Sequence, residues 1–368
     1  MFIFLSFLAA VVGALLLTPL VKTYALSHNI VDNPLIESDR RMHTQPTALL
    51  GGLAVWLSIT LLLVLLILIN PSFIVGSYLK FKYIIGIIIA SMVLMVGGYL
   101  DDRYHLRPSI SIWFPIIAAL VIIASGAGIN FVTRPWGGVW RLDGWKIELL
   151  RIHGLPYYFN VWADLLAFCW LMGMMYTTKL LDGLDGLTSG VASIGALTLT
   201  ALSLTAVVHQ PDTARVSAIV AGAFLGFLYY NWFPARIFLG EGGSLLAGFM
   251  LGVLAIVAGG KIATTFLVIG LPAFDVAWVV LRRLFWDKVS LARADRQHLH
   301  FRLLDIGLTP KQTVWFFWSV SAVLGMLALV LQTRGKFLAI LFLVVVSIVF
   351  AAIMVRLSGY SRVTKLNA

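Results

Sequence analysis

The chain has 368 residues, of which 60% are hydrophobic and only 12% are charged, and its mean hydropathy is +0.96. A soluble domain cannot bury that much apolar surface, so the composition indicates a polytopic membrane protein of the all-α class. The net charge of +11 is explained by basic loops next to anionic headgroups, so no nucleic acid partner is expected. The single cysteine excludes a disulfide framework within the chain.

Apolar runs long enough to span a bilayer recur along the whole chain. We expect about eleven transmembrane helices, with ten as the alternative, in a single integral membrane domain over residues 1–368. The runs lie near 2–26, 48–70, 82–100, 110–126, 163–181, 187–208, 214–230, 244–260, 262–281, 312–332 and 337–356. The interval at about 127–162 is rich in Trp, Gly and Pro. We expect it to cap the membrane surface, with a small hairpin as the second choice.

The ionisable residues cluster in the segments that follow the odd-numbered helices, and most of the 27 lysines and arginines lie there. By the positive-inside rule these loops are cytoplasmic. The N-terminus is then outside, and the 127–162 insert is extracytoplasmic.

The stretch KLLDGLDGL, residues 179–187, places Asp182 and Asp185 between two long apolar runs. A charged side chain inside a bilayer costs about 2.5 kcal/mol or more, so such acids usually face a cavity, a metal or a partner. Gly183 and Gly186 allow a tight loop that projects both acids to one point. Spacing alone fits a plain polar turn equally well, so the other loops must decide.

The third helix is expected to end in the adjacent acids Asp101 and Asp102. Two neighbouring carboxylates both stay ionised only near water or a cation, and the C-terminal end of a helix is already negative. Hard oxygen ligands of this kind suit Mg²⁺, which bridges carboxylates and substrate phosphates. The pair therefore predicts a metal or phosphate site.

The segment 231–244 reads NWFPARIFLGEGGS and leads into the eighth helix. Gly242 and Gly243 offer backbone N–H groups at the helix start, which predicts an anion site. Glu241 is placed to hold a metal next to that anion. Phe238 is placed to stack on a base, or simply to anchor at the membrane interface.

Two further loops carry arginine and histidine, which suit a phosphate-bearing ligand or proton transfer. These residues are Arg40, Arg41 and His43 in the first loop, and Arg296, His298, His300 and Arg302 in the last large loop. Singly, each is as well explained by membrane anchoring or a solvated surface. Together, five loops on one face supply the carboxylates and cations that phosphoryl transfer needs.

These stretches resemble the polyprenyl-phosphate N-acetylhexosamine-1-phosphate transferases of glycosyltransferase family 4. The likeness extends from about Asp32 to Gly307. It is carried by RRMH at 40–43, GYLDD at 98–102, DGLDGL at 182–187, NWFPARIFLGEGGS at 231–244 and DRQHLH at 295–300. The ending HLHFRLL is closer to the branch that uses undecaprenyl phosphate and GlcNAc-1-phosphate than to the branch that moves phospho-MurNAc-pentapeptide.

The resemblance implies transfer of an N-acetylhexosamine-1-phosphate, with GlcNAc favoured, from a UDP-sugar to a polyprenyl phosphate. The products would be a lipid-linked sugar diphosphate and UMP, and the cofactor Mg²⁺, with Mn²⁺ as the alternative. This would be the first membrane step of cell-envelope polysaccharide synthesis, located in the inner (cytoplasmic) membrane.

The resemblance also implies roles for single residues. Asp101 and Asp102 would serve the metal and the lipid phosphate, and Glu241 the Mg²⁺. Asp182 and Asp185 would form the catalytic centre. The remaining implied roles fall to His298 and His300 at the diphosphate and to Phe238 at the uracil. We count Asp101, Asp102 and His298 with Asp182 and Asp185 as catalytic residues. We further expect these residues to contact the substrate: Arg40, Arg41, His43, Lys179, Asn231, Gly242, Gly243, Arg296 and Arg302.

The sequence departs from the family pattern in three motifs. Tyr176 and Lys179 replace two asparagines, Glu241 replaces an aspartate, and Phe301 replaces a histidine. An ammonium group cannot ligate a cation and repels one nearby. Our hypothesis is that Lys179 and Glu241 changed together, so that Lys179 pairs with Glu241 or contacts the diphosphate. The alternative is that Lys179 points towards lipid headgroups.

Rival interpretations stay open at this point. The departures are compatible with an altered family member that binds UDP-sugar or lipid without turnover. A transporter that uses intramembrane carboxylates is the rival from another class. For the transferase, a one-step transfer and a covalent aspartyl intermediate both fit the sequence, and so does a homodimer.

Overall fold

The computed structural model describes residues 1–33, 46–69, 79–152, 155–259, 261–287 and 298–366. Within these ranges, helices occupy all eleven of the apolar intervals that the sequence marks. The helices are α1 (Phe2–Ser27), α2 (Gly51–Ile69), α3 (Phe81–Tyr104), α4 (Pro108–Ser111), α5 (Trp113–Ala124), α6 (Val161–Leu181), α7 (Leu187–Leu204), α8 (Pro211–Asn231), α9 (Gly240–Val257), α10 (Ile262–Val268), α11 (Gly270–Arg282), α12 (Leu299–Asp305), α13 (Pro310–Val330) and α14 (Thr333–Leu366).

Eight of the described helices are long and apolar enough to cross a membrane, and α10 with α11 would make a ninth crossing. The chain is therefore an all-α, multi-pass membrane protein, as predicted. The predicted number of eleven crossings is not confirmed, in part because the interval Pro108–Ala124 is shorter than the others. The predicted orientation also stays a prediction.

The predicted helix at 262–281 is broken in the structure. α10 and α11 meet at an angle of 82°. The sequence Gly270-Leu271-Pro272 explains the break, because proline has no N–H to donate to the preceding turn and is well tolerated only at the start of a helix. A new helix therefore begins at Gly270, and it ends in a π-helical turn, Arg283–Asp287.

α9 lies at the centre of the bundle, and every residue from 242 to 257 is buried. It packs against α2, α3 and α6. Two of these contacts are backbone to backbone. A Cβ atom added at Gly243 would lie 2.6 Å from the Cα of Gly52, and one at Gly242 would lie 3.3 Å from the Cα of Gly98. Small residues are what allow membrane helices to approach so closely.

Short antiparallel strand pairs complete the described structure. They are β1 (Val31–Asp32) with β2 (Thr47–Ala48), β3 (Phe131–Thr133) with β4 (Val139–Arg141), and β5 (Lys146–Ile152) with β6 (Leu155–Asn160). The last two pairs lie in the 127–162 insert and form two hairpins. The sequence analysis had preferred a cap on the membrane surface and had given a small hairpin as the second choice. Trp136 of this insert contacts Phe337 of α14, with ring centroids 5.7 Å apart.

Candidate active site

The acids that the sequence singled out meet at one end of the helix bundle. The C-terminal ends of α3 and α6 and the loop after α8 come together there with the N-terminal end of α9. The acids at this end are Asp101, Asp102, Asp182, Asp185 and Glu241.

Asp102 caps the first turn of α9. Its Oδ1 accepts the backbone N–H of Glu241 at 3.0 Å. This N–H is one of the unpaired donors at a helix N-terminus, where the helix dipole favours an anion. α9 begins at Gly240, earlier than predicted, so Gly242 and Gly243 lie inside the helix and pack against α3 and α2. A carboxylate of the protein occupies the helix start, and the predicted anion-binding role of Gly242 and Gly243 stays a prediction.

Asn231, predicted to bind substrate, joins two loops of the site. Its Oδ1 accepts hydrogen bonds from the Gly186 N–H at 3.1 Å and from the Ser189 hydroxyl at 2.8 Å. Its Nδ2 donates to the Ile237 carbonyl at 3.1 Å. The side chain is buried, so it fixes the loop 182–186 against the segment after α8.

Phe238 is held by its backbone. Its N–H donates to the Ala48 carbonyl at 2.9 Å, and its carbonyl accepts the N–H of Gly51 at 2.9 Å. The start of α2 and the segment before α9 thus form a short paired stretch. This pairing presents the half-buried Phe238 ring at a fixed place.

A cavity of about 870 Å³ opens between these loops. Its wall contains Asp182, Asp185 and Phe238, together with the basic residues Lys22 and Arg236. The sequence analysis assigned no role to either basic residue, although Arg236 lies within the segment 231–244. Acids, bases and the aromatic rings of Phe233 and Phe238 around a concave space suit a charged ligand that has a planar group.

The two acids of the loop 182–186 differ in their surroundings. Asp185 Oδ2 accepts the N–H of Ala235 at 2.9 Å, which ties this loop to the segment after α8. Burial raises the pKa of Asp182 from 3.8 to about 7, and the charges of Asp185 and Glu241 add to the shift. A carboxyl group with such a pKa exchanges its proton near neutral pH. Asp102 lines a separate apolar groove of about 270 Å³ between α2, α3 and α9.

Lys179, in the last turn of α6, forms an ion pair with Glu241 in the first turn of α9. The two side chains are 30% and 13% exposed. The neighbouring Thr178 hydroxyl donates to the Ser244 carbonyl at 2.7 Å, which fixes the two helices in this register. The predicted contact between Lys179 and Glu241 is confirmed, and the alternative in which Lys179 points towards lipid headgroups is wrong.

The implied metal site is not assembled in this arrangement. Across the described ranges, no three carboxylate, imidazole or thiol groups are placed to hold a metal ion together. Glu241 is bound to an ammonium group, and Asp102 to a backbone N–H. The residues present therefore do not fit a divalent cation held jointly by Asp101, Asp102 and Glu241, and dependence on Mg²⁺ stays a prediction.

His298 is buried and is held by an acid that the sequence analysis missed. Its Nδ1 lies 2.9 Å from Oδ2 of Asp275 in α11. The other oxygen of Asp275 accepts the backbone N–H of Leu299 at 2.8 Å, at the start of α12. Asp275 could have been singled out from the sequence, because it lies inside the apolar run 262–281. An acid in a run of spanning length is a functional candidate by default.

His300 packs beneath the loop 182–186. A Cβ atom at Gly183 would overlap Nε2 of His300. Burial lowers the pKa of His300 to about 3, and His298 lowers it further. The ring is therefore neutral at physiological pH and 1% exposed. The described contact of His300 is packing under the loop, and its predicted contact with the diphosphate stays a prediction.

Of the remaining predicted basic residues, the structure describes only Arg302. Arg302 lies in α12, where its backbone N–H donates to the His298 carbonyl at 3.1 Å. The other four predicted residues, Arg40, Arg41, His43 and Arg296, lie outside the described residues.

Comparisons with known proteins show the family of the chain. The family model described as glycosyl transferase family 4 matches residues 84–259. A decaprenyl-phosphate N-acetylglucosaminephosphotransferase of Mycolicibacterium smegmatis is 30% identical over 320 residues, which cover 80% of this chain and 73% of that protein. The chain belongs to glycosyl transferase family 4. The predicted family is confirmed, and the chain is an enzyme of the phosphotransferase type.

Two other relatives represent the two branches considered in the sequence analysis. A probable undecaprenyl-phosphate N-acetylglucosaminyl 1-phosphate transferase of Bacillus subtilis is 27% identical over 363 residues, 97% of this family 4 chain and 92% of that protein. A phospho-N-acetylmuramoyl-pentapeptide-transferase of Streptococcus uberis is 29% identical over 261 residues, 66% of this chain and 73% of that protein. The first alignment therefore covers more of the chain.

Proposed function

We propose that this family 4 enzyme transfers an N-acetylhexosamine-1-phosphate, with GlcNAc preferred, from a UDP-sugar to undecaprenyl phosphate or another polyprenyl phosphate. The products are a lipid-linked sugar diphosphate and UMP. The names of the relatives support the prenyl phosphate acceptor and the sugar. The observation that carries the proposal is the cavity of about 870 Å³, which opens at one end of a membrane-spanning bundle and is lined by Asp182, Asp185 and Phe238.

The cavity wall supports contacts with the uracil and the diphosphate of a UDP-sugar. The ring of Phe238 is positioned by its backbone pairing with α2 and would stack on uracil. Lys22 and Arg236 supply positive charge for the diphosphate. The basic residues at this end of the bundle also support a cytoplasmic location of the site in the inner membrane, with the N-terminus outside.

In the proposed reaction, an oxygen of the prenyl phosphate attacks the β-phosphorus of the UDP-sugar. The bond from this phosphorus to the oxygen that bridges to the α-phosphate breaks, and UMP leaves with the electron pair. A phosphate monoester has a second pKa of about 6, so it is largely ionised at neutral pH. Only a weak base is therefore needed to remove its remaining proton. Asp182 lies in the cavity wall with a pKa of about 7, which suits it to accept the remaining proton.

The test uses the purified full-length protein with undecaprenyl phosphate and UDP-GlcNAc. We expect UMP release that requires both substrates, measured with Mg²⁺, with Mn²⁺ and with EDTA. UDP-GalNAc in place of UDP-GlcNAc tests the sugar. Asp182→Asn should lower turnover by about 100-fold or more, whereas Asp212→Asn, in the first turn of α8 at the far end of that helix, should not.

One result would overturn the proposal. It is a folded protein that releases no UMP from any UDP-N-acetylhexosamine. That result would favour the altered family member that binds without turnover, or the transporter. Neither alternative has support from the relatives.

A further inference from the structure

Three of the departures from the family pattern meet at one point of the structure. Tyr176 and Lys179 lie one turn apart on α6, and Glu241 faces them from α9. The ammonium group of Lys179 is ion-paired with Glu241 and lies over the ring of Tyr176, 5.6 Å from its centroid. A carboxylate on one side and an aromatic face on the other form a binding site for a cation. The cation that this site holds is part of the chain itself.

The surroundings explain why a cation is needed at this point. The charges of Asp101 and Glu241 act on Lys179, and those of Asp101 and Asp182 act on Asp102. Carboxylates gathered away from bulk water repel one another strongly. An ammonium group among them reduces that repulsion without any bound ion. Because the bond from Thr178 to Ser244 fixes the register of α6 against α9, the ammonium group stays in place.

We propose that the Lys179 ammonium group is the built-in counter-ion of this active site, taking the place at Glu241 that the family resemblance assigns to Mg²⁺. The inference rests on the proposed function, because positive charge at this point serves a reaction that shifts charge between phosphate oxygens. Tyr176 and Glu241 position the ammonium group. A divalent cation could bind at Glu241 only after the ammonium group had left, since the two cations repel each other.

The first experiment measures cation binding without any turnover. Mn²⁺ alone is titrated into the purified protein, and free Mn²⁺ is followed by electron paramagnetic resonance. Lys179→Asn should bind Mn²⁺ at least about tenfold more tightly than the wild type, because the competing charge is gone. Lys82→Asn is the matched control, since the ammonium group of Lys82 also lies over a tyrosine ring, in the first turn of α3. It should bind Mn²⁺ like the wild type.

The second experiment measures UMP release in EDTA. We expect the wild type to keep releasing UMP in EDTA, and Lys179→Asn to lose this release and to regain it when Mg²⁺ is added. Equal Mn²⁺ affinity of the wild type and Lys179→Asn would overturn the proposal, and so would wild-type release that EDTA abolishes. If Lys179→Asn does not fold, Lys179→Met replaces it in both experiments. If no protein releases UMP under any condition, the proposed function fails, and the Mn²⁺ comparison alone then decides the role of Lys179.

Discussion

Gly243→Ala tests whether the glycine-rich start of α9 serves packing or anion binding. The change keeps the backbone N–H but adds a Cβ atom 2.6 Å from the Cα of Gly52 and 2.9 Å from its nitrogen. Ordinary contacts begin near 3.4 Å, so α2 and α9 must separate by about 1 Å. Overpacking of this kind costs about 1–3 kcal/mol, against a gain of about 0.5–1 kcal/mol from placing alanine in a helix.

The assay compares Gly243→Ala with Gly173→Ala, whose added Cβ atom in α6 has no neighbour within 4 Å. We expect Gly243→Ala to lower the Tm in detergent and Gly173→Ala to leave it unchanged or raise it. Turnover of Gly243→Ala should fall by up to about 100-fold, because a shift of about 1 Å at α9 displaces the groups around Asp102 and Glu241. Equal Tm and turnover of the two variants would refute the packing role.

The site supports three further predictions. Asp275→Asn keeps the side-chain shape but weakens the hold on His298, so kcat should fall about tenfold or more with KM little changed. Phe238→Ala removes the stacking ring, so the KM for the UDP-sugar should rise about tenfold while kcat stays similar. Asp182→Asn removes a carboxyl group whose proton is held more tightly in the folded state, with a pKa of about 7 against 3.8. The wild type should therefore lose stability relative to this variant as pH rises through that interval, which melting curves at pH 5 and pH 8 would measure.

Matched variants distinguish these effects from general damage. Asp212→Asn is the control for both aspartate changes, and Phe4→Ala, on the exposed face of α1, is the control for Phe238→Ala. Unchanged kcat in Asp275→Asn would show that His298 needs no such partner. A difference in Tm between wild type and Asp182→Asn that is the same at both pH values would contradict the raised pKa. A parallel loss of kcat in Phe238→Ala would contradict simple base stacking.

The sequence predicted the helical intervals, the gathered acids and the contact between Lys179 and Glu241. That contact could be predicted because Lys179 and Glu241 both depart from the family pattern and carry opposite charges. The packing of Gly243 could not be predicted from the sequence, since a glycine-rich segment at a helix start looks the same whether it binds an anion or packs on another helix. Asp275 was missed because its partner His298 is 23 residues away and the two meet only after the helix breaks near Pro272.

The complete burial of α9 has a consequence for how this protein is made. A helix with no residue from 242 to 257 facing lipid enters the bilayer because it is hydrophobic, yet it must leave the lipid again when its neighbours close around it. Of the helices that pack against it, α2, α3, α6, α7 and α8 precede it in the chain and α10 follows it, so most of its surroundings are made before it. We expect the acids of α3, α6 and α9 to come together only once α9 is in place, before the later residues Asp275 and His298 join them.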